Sequence, residues 1–104
     1  MKRRYVLAPE ATSDLVHIWR YVRKHASVEI ADRVESAIRE KFVFLARTPG
    51  AGHRRHDLTD EAVRFFGVYS YLIVYRPDTK PLQVVAILHG HQNIERVLGD
   101  RIIL

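Results

Sequence analysis

Residues 69–76 read YSYLIVYR, and this stretch sets the expected fold class. Its β-branched and aromatic residues are typical of a strand, and the same character appears in AVRFF (62–66) and LQVVAILH (82–89). The sequences between them, GV at 67–68 and PDTKP at 77–81, are typical of hairpin connections. The three stretches therefore predict a three-stranded antiparallel meander.

Alternation along the 69–76 strand places its side chains on two faces of the predicted sheet. One face receives every second residue from Tyr69, and the other receives every second residue from Ser70. Each face is largely apolar, with Tyr69, Tyr71, Ile73 and Tyr75 on the first and Ser70, Leu72, Val74 and Arg76 on the second. Because one helix hairpin covers only one face of so small a sheet, we expect the other face to stay partly open and to bind a partner.

The N-terminal half of the chain predicts the helical layer. Pro9 suits the first turn of a helix, and apolar residues then recur as far as Val22 at spacings of three and four. Ser27 can cap a second helix, which the RTPGAG sequence at 47–52 ends. The apolar faces consist of Ala11, Leu15, Ile18, Trp19 and Val22 in the first helix and of Ile30, Val34, Ile38, Phe42 and Leu45 in the second. The short link between the helices predicts an antiparallel hairpin.

Together these elements predict an α+β fold, in which an N-terminal antiparallel helix hairpin packs on a small antiparallel sheet of three to four strands. Residues 5–7 would supply the fourth strand at an edge, and residues 93–98 would form a last helical turn. A length of 104 residues, of which 47% are hydrophobic and 28% charged, fits one domain over residues 1–104.

Composition limits the compartment and the kind of partner. The chain has no cysteine, so it has neither a disulfide framework nor thiolate chemistry, which fits a reducing compartment. Only residues 5–8 are apolar before Pro9, and no apolar run has membrane-spanning length, so we expect a cytoplasmic protein outside the membrane. A formal charge of +5 predicts an acidic partner, which could be a nucleic acid, a ribosome or an acidic protein segment.

Two pairs of histidines are the first candidates for chemistry. His53 and His56 flank two arginines in HRRH, and His89 and His91 flank a glycine in HGH. Structural zinc sites need four ligands and catalytic sites three, and no cysteine can contribute, so we expect no metal. Nucleotide-binding and redox motifs are absent from the sequence, so we also expect no cofactor.

Histidines near arginines could also act on a phosphodiester, with histidine as general acid or base and guanidinium groups stabilising charge. This catalytic alternative would use Arg64, Arg76, His89 and His91. The simpler interpretation makes His89 the end of a strand and His91 a solvated loop residue, and we favour it. For Arg64, a structural role in an ion pair and a functional role both stay open. Trp19 and the tyrosines could stack on bases, but at helical and strand spacing such residues belong more often to the core.

The order of elements resembles that of the ParE branch of the ParE/RelE toxin superfamily over nearly the whole chain. The resemblance rests on LAPEATSDLVHIWRYV (7–22), LARTPGAGHRRHDL (45–58), VRFFGVYSYLIVYR (63–76) and VVAILHGHQ (84–92). It implies a small α+β fold, an antitoxin encoded in the same operon, and inhibition of bacterial growth. The best-known ParE members act on DNA gyrase, whereas RelE-like members cut messenger RNA on the ribosome.

Departures from the RelE-like pattern favour the ParE-like function. RelE-like nucleases tend to have an arginine within the aromatic strand, a basic residue after the glycine that ends the last strand, and a tyrosine near the C-terminus. Here these places hold Leu72, Gln92 and Leu98, which weakens transition-state stabilisation by guanidinium groups. ParE-like sequences also often carry an arginine where Gln92 stands. A third alternative is a toxin-like protein that acts only in a DNA-bound repressor complex with its antitoxin.

The residues and the resemblance together predict a non-enzymatic toxin that inhibits DNA gyrase when free. A ParD-like antitoxin would neutralise it, in a toxin–antitoxin hetero-oligomer. We expect the antitoxin on the helix hairpin and the open sheet face, at Trp19, Tyr71, Ile73, Tyr75 and Arg76. We expect the target at Arg64, Arg76, Arg96 and Arg101 and along the C-terminal segment from residue 93 to residue 104.

Overall fold

The computed structural model describes residues 4–90 and 92–102 and arranges them as three helices and four strands. In chain order these are β1 (Tyr5–Leu7), α1 (Pro9–His25), α2 (Val28–Arg47), β2 (Arg64–Val68), β3 (Tyr71–Arg76), β4 (Leu82–His89) and α3 (Ile94–Ile102), with a 3-10 turn at Pro49–Ala51 after α2. The predicted α+β fold with an N-terminal helix hairpin is confirmed.

Both helices of the hairpin begin where the sequence predicts. Pro9 lies in the first turn of α1, and the last turn of this helix is basic, which suits the negative end of its dipole. The Ser27 hydroxyl accepts a hydrogen bond from the Ile30 amide at 3.1 Å and caps α2. The indole N–H of Trp19 donates to the Asp32 carboxylate at 2.8 Å, so one polar contact joins the two helices.

The sheet has the strand order β1-β4-β3-β2 and is mixed rather than purely antiparallel. Strands β2, β3 and β4 form the predicted antiparallel meander. Strand β1 pairs with β4 in parallel, with Tyr5 opposite Leu82. A parallel pair needs a long crossover connection, and here the helix hairpin and two strands supply it.

The turn between β2 and β3 lies two residues later than the sequence predicted. Gly67 and Val68 were expected to form this connection, but both belong to β2, and Val68 pairs with Tyr71 of β3. Val68 is buried, so extending β2 through this residue removes another apolar side chain from water. The turn falls on Tyr69 and Ser70, and Tyr69 adopts a left-handed backbone with φ of 54°. Tyr69 is therefore an exposed turn residue and does not line a sheet face.

The first hydrophobic core lies between the helix hairpin and one face of the sheet. Its buried members are Ala11, Leu15, Ile18, Ile38, Phe42, Leu45, Val68, Ile73, Tyr75, Leu82, Val84 and Ile87. A β-bulge in β4 inserts Val85, so Val84 and Ile87 face the same helices although they are three residues apart. The helix hairpin thus covers the face of β3 that carries Tyr71, Ile73 and Tyr75.

A second core lies on the opposite face of the sheet, and it overturns the expectation of an open apolar face. Val74, Val85 and Leu88 lie there with Val63, Phe65, Ala86 and two residues of α3, Ile94 and Leu98. Helix α3 has nine residues rather than the single turn predicted, and its apolar positions four residues apart cover the sheet. Neither face of β3 is left open, because a helix layer packs on each.

Candidate partner-binding surface

A groove lies where the second half of α1 passes the adjoining ends of β3 and β4. It has a volume of about 440 Å³ and is lined by His17, Ile18, Tyr21, Tyr71, His89 and Gln92. We call it the aromatic groove. Strand pairing places Tyr71 opposite His89, with their rings edge to face at 5.4 Å between centroids. Tyr21 is 58% exposed and stacks on His25 at 4.0 Å, so α1 presents an aromatic wall to solvent.

The electrostatics of the aromatic groove differ between its lining and its rim. Burial raises the pKa of the Tyr71 hydroxyl, and the nearby Tyr21 hydroxyl raises it further, so the Tyr71 phenol is neutral at physiological pH. The rim on α1 is basic, since the helix carries Arg20, Arg23 and Lys24 and no carboxylate between residues 15 and 25. A neutral aromatic lining with a basic rim suits an apolar side chain on an acidic segment.

Two of the residues expected to contact an antitoxin are inaccessible. Ile73 and Tyr75 are 0% exposed beneath the helix hairpin, so their expected place on an open face is wrong. The Tyr75 hydroxyl donates to the Pro49 carbonyl at 2.6 Å and accepts from the Gly52 amide at 2.9 Å. Tyr75 therefore anchors the loop that follows α2. The PGAG sequence at 49–52 is the only local sign of such an anchor.

The remaining members of that expected set are partly accessible. Tyr71 lines the aromatic groove, and Arg76 ends β3 with intermediate exposure. Trp19 is half-buried, bonded to Asp32, with the Arg23 guanidinium 5.5 Å from its ring centroid. Trp19 thus has a structural role in joining α1 to α2 and keeps intermediate exposure.

The three described residues of the catalytic alternative, Arg64, Arg76 and His89, do not converge. Arg64 pairs with Tyr75 and Arg76 with Gln83 at one end of the sheet, whereas His89 pairs with Tyr71 at the other end. Along β3, Tyr71 lies four residue steps from Tyr75 and five from Arg76, which corresponds to about 13 Å and about 17 Å between Cα atoms. The Arg64 guanidinium also donates to the Gly52 carbonyl at 2.9 Å. His91 lies outside the described residues.

The arginines expected to contact a target have different environments. Arg101 of α3 makes two hydrogen bonds to the Asp14 carboxylate of α1, at 2.6 and 2.8 Å, and their side chains are only 20% and 13% exposed. Asp14 also accepts from the Ile87 amide at 2.9 Å. These contacts oppose the expectation of Arg101 as a free cation for a target, because its guanidinium is held inside the fold. Arg96 is exposed on α3.

His17 and Tyr21 form the α1 wall of the aromatic groove, and neither was among the binding residues expected from the sequence. They lie four residues apart beside the buried Ile18, at the flank of the apolar stripe. That spacing places them on one side of a helix, which is the signal that could have identified them. Among residues 4–90 and 92–102, no three histidine or acidic side chains group as metal ligands. No helix within these ranges is long and apolar enough to cross a membrane.

Comparisons with known proteins agree on a family. Toxin ParE3 of Caulobacter vibrioides is 26% identical over 98 residues, which cover 94% of this chain and 97% of that protein. A solved chain described as the chromosomal ParDE TA system from P. aeruginosa superposes with a TM-score of 0.71 over 85% of this chain and 96% of its own. At 19% identity that similarity shows the fold alone, a helix hairpin on a small sheet.

The family match extends over most of the chain. Residues 5–94 match the family described as the ParE toxin of the type II toxin–antitoxin system, parDE. The matched range includes the helix hairpin, all four strands and the first residue of α3. The chain belongs to the family of ParE toxins of type II toxin–antitoxin systems.

Proposed function

We propose that this ParE toxin inhibits DNA gyrase in the cytoplasm by docking, without enzymatic activity of its own. A cognate ParD-like antitoxin would neutralise it by forming a hetero-oligomer. Docking suffices for inhibition, because a protein that binds one state of an enzyme more tightly than the others holds the enzyme in that state. Family membership motivates the choice of gyrase and of the antitoxin.

The separation of Arg64 and Arg76 from His89 is the observation that supports docking over messenger RNA cleavage. General acid–base catalysis needs its groups within about 3 Å of the same reacting atoms. Here about 13–17 Å of strand lies between the arginine end and the histidine end of the sheet. Leu98, where RelE-like nucleases have a tyrosine, is 1% exposed in the second core and serves packing.

Accessible surface for partners remains on the helix hairpin and on α3. Five large apolar side chains of the hairpin, Val16, Tyr21, Val28, Ile30 and Phe44, are more than 40% exposed. With the partly accessible Tyr71 and Trp19, they offer the antitoxin an apolar surface on a basic chain. Arg76 and Arg96 are the expected contact arginines whose side chains have no hydrogen bond or ion pair among the described residues, and we assign them to the rim of partner contacts.

The test compares two activities of the purified toxin. We expect DNA supercoiling by purified gyrase to stop when toxin is in excess, and a ribosome-dependent messenger RNA cleavage assay to give no cuts. In cells without antitoxin, DNA replication should stop and the DNA-damage response should begin before translation fails. Intact supercoiling together with codon-positioned cuts would select the nuclease alternative. No effect in either assay would leave only the repressor complex with the antitoxin.

Histidine substitutions sharpen this test, because they remove the acid and base that a nuclease would need. His89→Ala and His91→Ala should leave growth inhibition nearly unchanged, as should His53→Ala and His56→Ala in the HRRH sequence. Circular dichroism should verify the fold of each variant. Loss of toxicity in folded His89→Ala, with messenger RNA cut only by the parent protein, would contradict the docking function.

A further inference from the structure

One end of the sheet carries a lysine or an arginine at every strand. Strands β1, β4 and β2 start at this end, and β3 ends at it. His53 bridges Phe65 in the antiparallel sense, so Arg54 comes beside the start of β2. Across the sheet the cations are Arg4 before β1, Lys80 before β4, Arg76 at the end of β3, Arg64 at the start of β2 and Arg54 after the bridge. We call these residues the basic row.

We propose that the basic row binds phosphate groups of the double-stranded DNA held by the gyrase that the toxin inhibits. This inference rests on the proposed function, which brings the toxin to an enzyme that holds DNA. It adds a second contact to that function, because the toxin then touches the enzyme and its DNA together in the inhibited complex.

The cations of the basic row are available to a ligand. In the part of the chain that the structure describes, none of them forms an ion pair. Arg4, Arg54 and Lys80 are exposed, and the two strand arginines have intermediate exposure. The Arg64 guanidinium donates one hydrogen bond, to the Gly52 carbonyl, and its other N–H groups remain for a ligand.

Carboxylates near the basic row are too few to neutralise it. Asp57 is held by Arg55 through two hydrogen bonds, at 2.9 and 2.7 Å. The other carboxylates close by in the chain are Asp60, Glu61 and Asp78, and the basic row outnumbers them. This end of the sheet therefore stays positive and attracts a polyanion.

The opposite end of the sheet has no such charge. Residues 68–71, which join β2 to β3, and residues 89–90, which follow β4, include no lysine and no arginine. The positive charge of the sheet is thus concentrated at one end, and a phosphate backbone approaching the molecule meets it there.

The spacing of the basic row suits a ligand whose charge repeats along its length. Neighbouring strands lie about 4.8 Å apart, so the four spacings from β1 to the bridge at His53 extend about 19 Å. Each strand of a DNA duplex has one phosphate per about 3.4 Å of axis, so the row matches about five or six base pairs. Arginine predominates in the row, and its planar guanidinium can bind one phosphate through two hydrogen bonds.

The loop that carries Arg54 is fixed to the sheet before any ligand binds. His53 exchanges two backbone hydrogen bonds with Phe65, both at 2.8 Å. One residue earlier, the Gly52 amide donates to the Tyr75 hydroxyl at 2.9 Å. A cation on an anchored loop loses less conformational freedom when it binds than one on a free loop, which favours affinity.

Other occupants fit the basic row less well. The large apolar side chains that are more than 40% exposed in the described structure lie on the helix hairpin or at Tyr69, at the opposite end of the sheet, so a protein partner would lack an apolar anchor here. Single-stranded RNA is bound largely by stacking of its bases on aromatic rings. At this end Tyr75 is 0% exposed and Tyr5 packs on Phe42 at 5.2 Å between ring centroids. Backbone contacts to a duplex need no such rings.

The first experiment titrates the full-length toxin into a labelled DNA duplex of unrelated sequence and measures fluorescence anisotropy at several salt concentrations. The logarithm of the association constant should fall with the logarithm of salt concentration with a slope of about −4. Arg54→Ala and Arg76→Ala should each reduce the magnitude of that slope by about one and raise the Kd about threefold or more at low salt.

Arg33→Ala is the matched control, because it removes an exposed arginine in the first half of α2 and changes the net charge equally. Its Kd should stay within about twofold of the parent value, with the same salt slope. Circular dichroism should verify the fold of each variant. An equal loss of affinity in Arg33→Ala would overturn the basic row in favour of attraction by net charge alone.

The second experiment measures binding of the toxin to purified gyrase with and without bound DNA. The parent should bind the DNA-loaded enzyme about tenfold more tightly than the free enzyme. The double variant Arg54→Ala/Arg76→Ala should bind both forms alike and should need about tenfold more toxin to stop supercoiling. Arg33→Ala should behave as the parent does in both measurements.

The two experiments separate this inference from the proposed function. If the parent inhibits gyrase and the double variant inhibits it equally well, the DNA contact is overturned and the proposed function stands. If the parent binds the duplex through the basic row but leaves supercoiling intact, both gyrase as the target and gyrase-held DNA as the ligand are overturned. Tighter binding of single-stranded RNA or of polyglutamate than of the duplex, lost in the same double variant, would overturn the inference in favour of RNA or of an acidic protein segment.

Discussion

At the residue scale, one buried phenol organises the loop that follows α2. Tyr75 bonds to both Pro49 and Gly52, and Arg64 bonds to the Gly52 carbonyl. Gly52 is closely surrounded, since an added Cβ would lie 2.6 Å from the Tyr75 oxygen and 2.9 Å from the Phe65 carbonyl oxygen. This position therefore requires glycine for space, although its backbone angle is ordinary.

We expect Gly52→Ala to destabilise the toxin by about 1–3 kcal/mol, because the new methyl group must displace backbone or the Tyr75 ring. Gly50→Ala is the matched control in the same loop, since nothing lies within 4 Å of a Cβ there. Urea denaturation followed by circular dichroism measures both free energies of unfolding. Equal stabilities of the two variants would contradict the close contact at Gly52.

At the element scale, the Asp14 carboxylate joins α3 to the helix hairpin and to β4. Asp14 of α1 accepts two hydrogen bonds from the Arg101 guanidinium and one from the Ile87 amide of β4. The hydrogen bonds to Asp14 raise the pKa of Arg101 above its ordinary value. Strand β1 pairs with β4 only as far as Val84. The Ile87 amide therefore lies on a part of the β4 edge that β1 does not cover, and it donates to Asp14 there. Three elements thus meet at one side chain.

Asp14→Asn should lower the free energy of unfolding by about 1.5–3 kcal/mol, because it weakens charge-assisted hydrogen bonds in a partly buried place. Glu35→Gln is the control, since its ion pair with Arg39 is long, at 3.8 Å, and exposed, and is worth at most about 0.5 kcal/mol. Amide hydrogen exchange should also quicken in α3 of Asp14→Asn. Unchanged exchange there would show that apolar packing alone holds the helix.

At the scale of the whole molecule, a central sheet carries a helix layer on each face and the surface is basic. The hairpin packs on one face and α3 on the other, so the large apolar areas of β3 and β4 are used within the fold. The accessible apolar side chains lie instead on the helices, at Tyr69 in the turn between β2 and β3, and in the aromatic groove. A net charge of +5 surrounds them, which favours rapid encounter with an acidic partner.

The charge predicts a salt effect on antitoxin binding that acts mainly on the association rate. Raising ionic strength from about 0.01 M to about 0.15 M shortens the Debye length from about 30 Å to about 8 Å, so steering weakens. Stopped-flow kinetics should show association slowing by about tenfold or more, with a much smaller change in dissociation. A salt effect confined to the dissociation rate would instead indicate ion pairs buried in the interface.

The sequence by itself determined the elements and the family resemblance. Helix periodicity, the cap at Ser27 and the β-branched stretches from Arg64 to His89 depend on neighbours close along the chain. Local patterns therefore located the helix hairpin and the meander, and missed the Tyr69 turn only because a non-glycine residue adopts the left-handed backbone there. The same patterns showed that both faces of β3 are apolar.

Only the tertiary structure decided which apolar residues are available to a partner. Alternation makes a strand apolar on two faces, but what covers each face depends on elements far away in sequence, such as α3 against Val74. The Asp14–Arg101 pair joins residues 87 positions apart, and the aromatic groove combines α1 with the ends of β3 and β4. Such contacts arise from packing of whole layers, so Ile73 and Tyr75 became core residues while Tyr21 became the exposed aromatic residue of the groove.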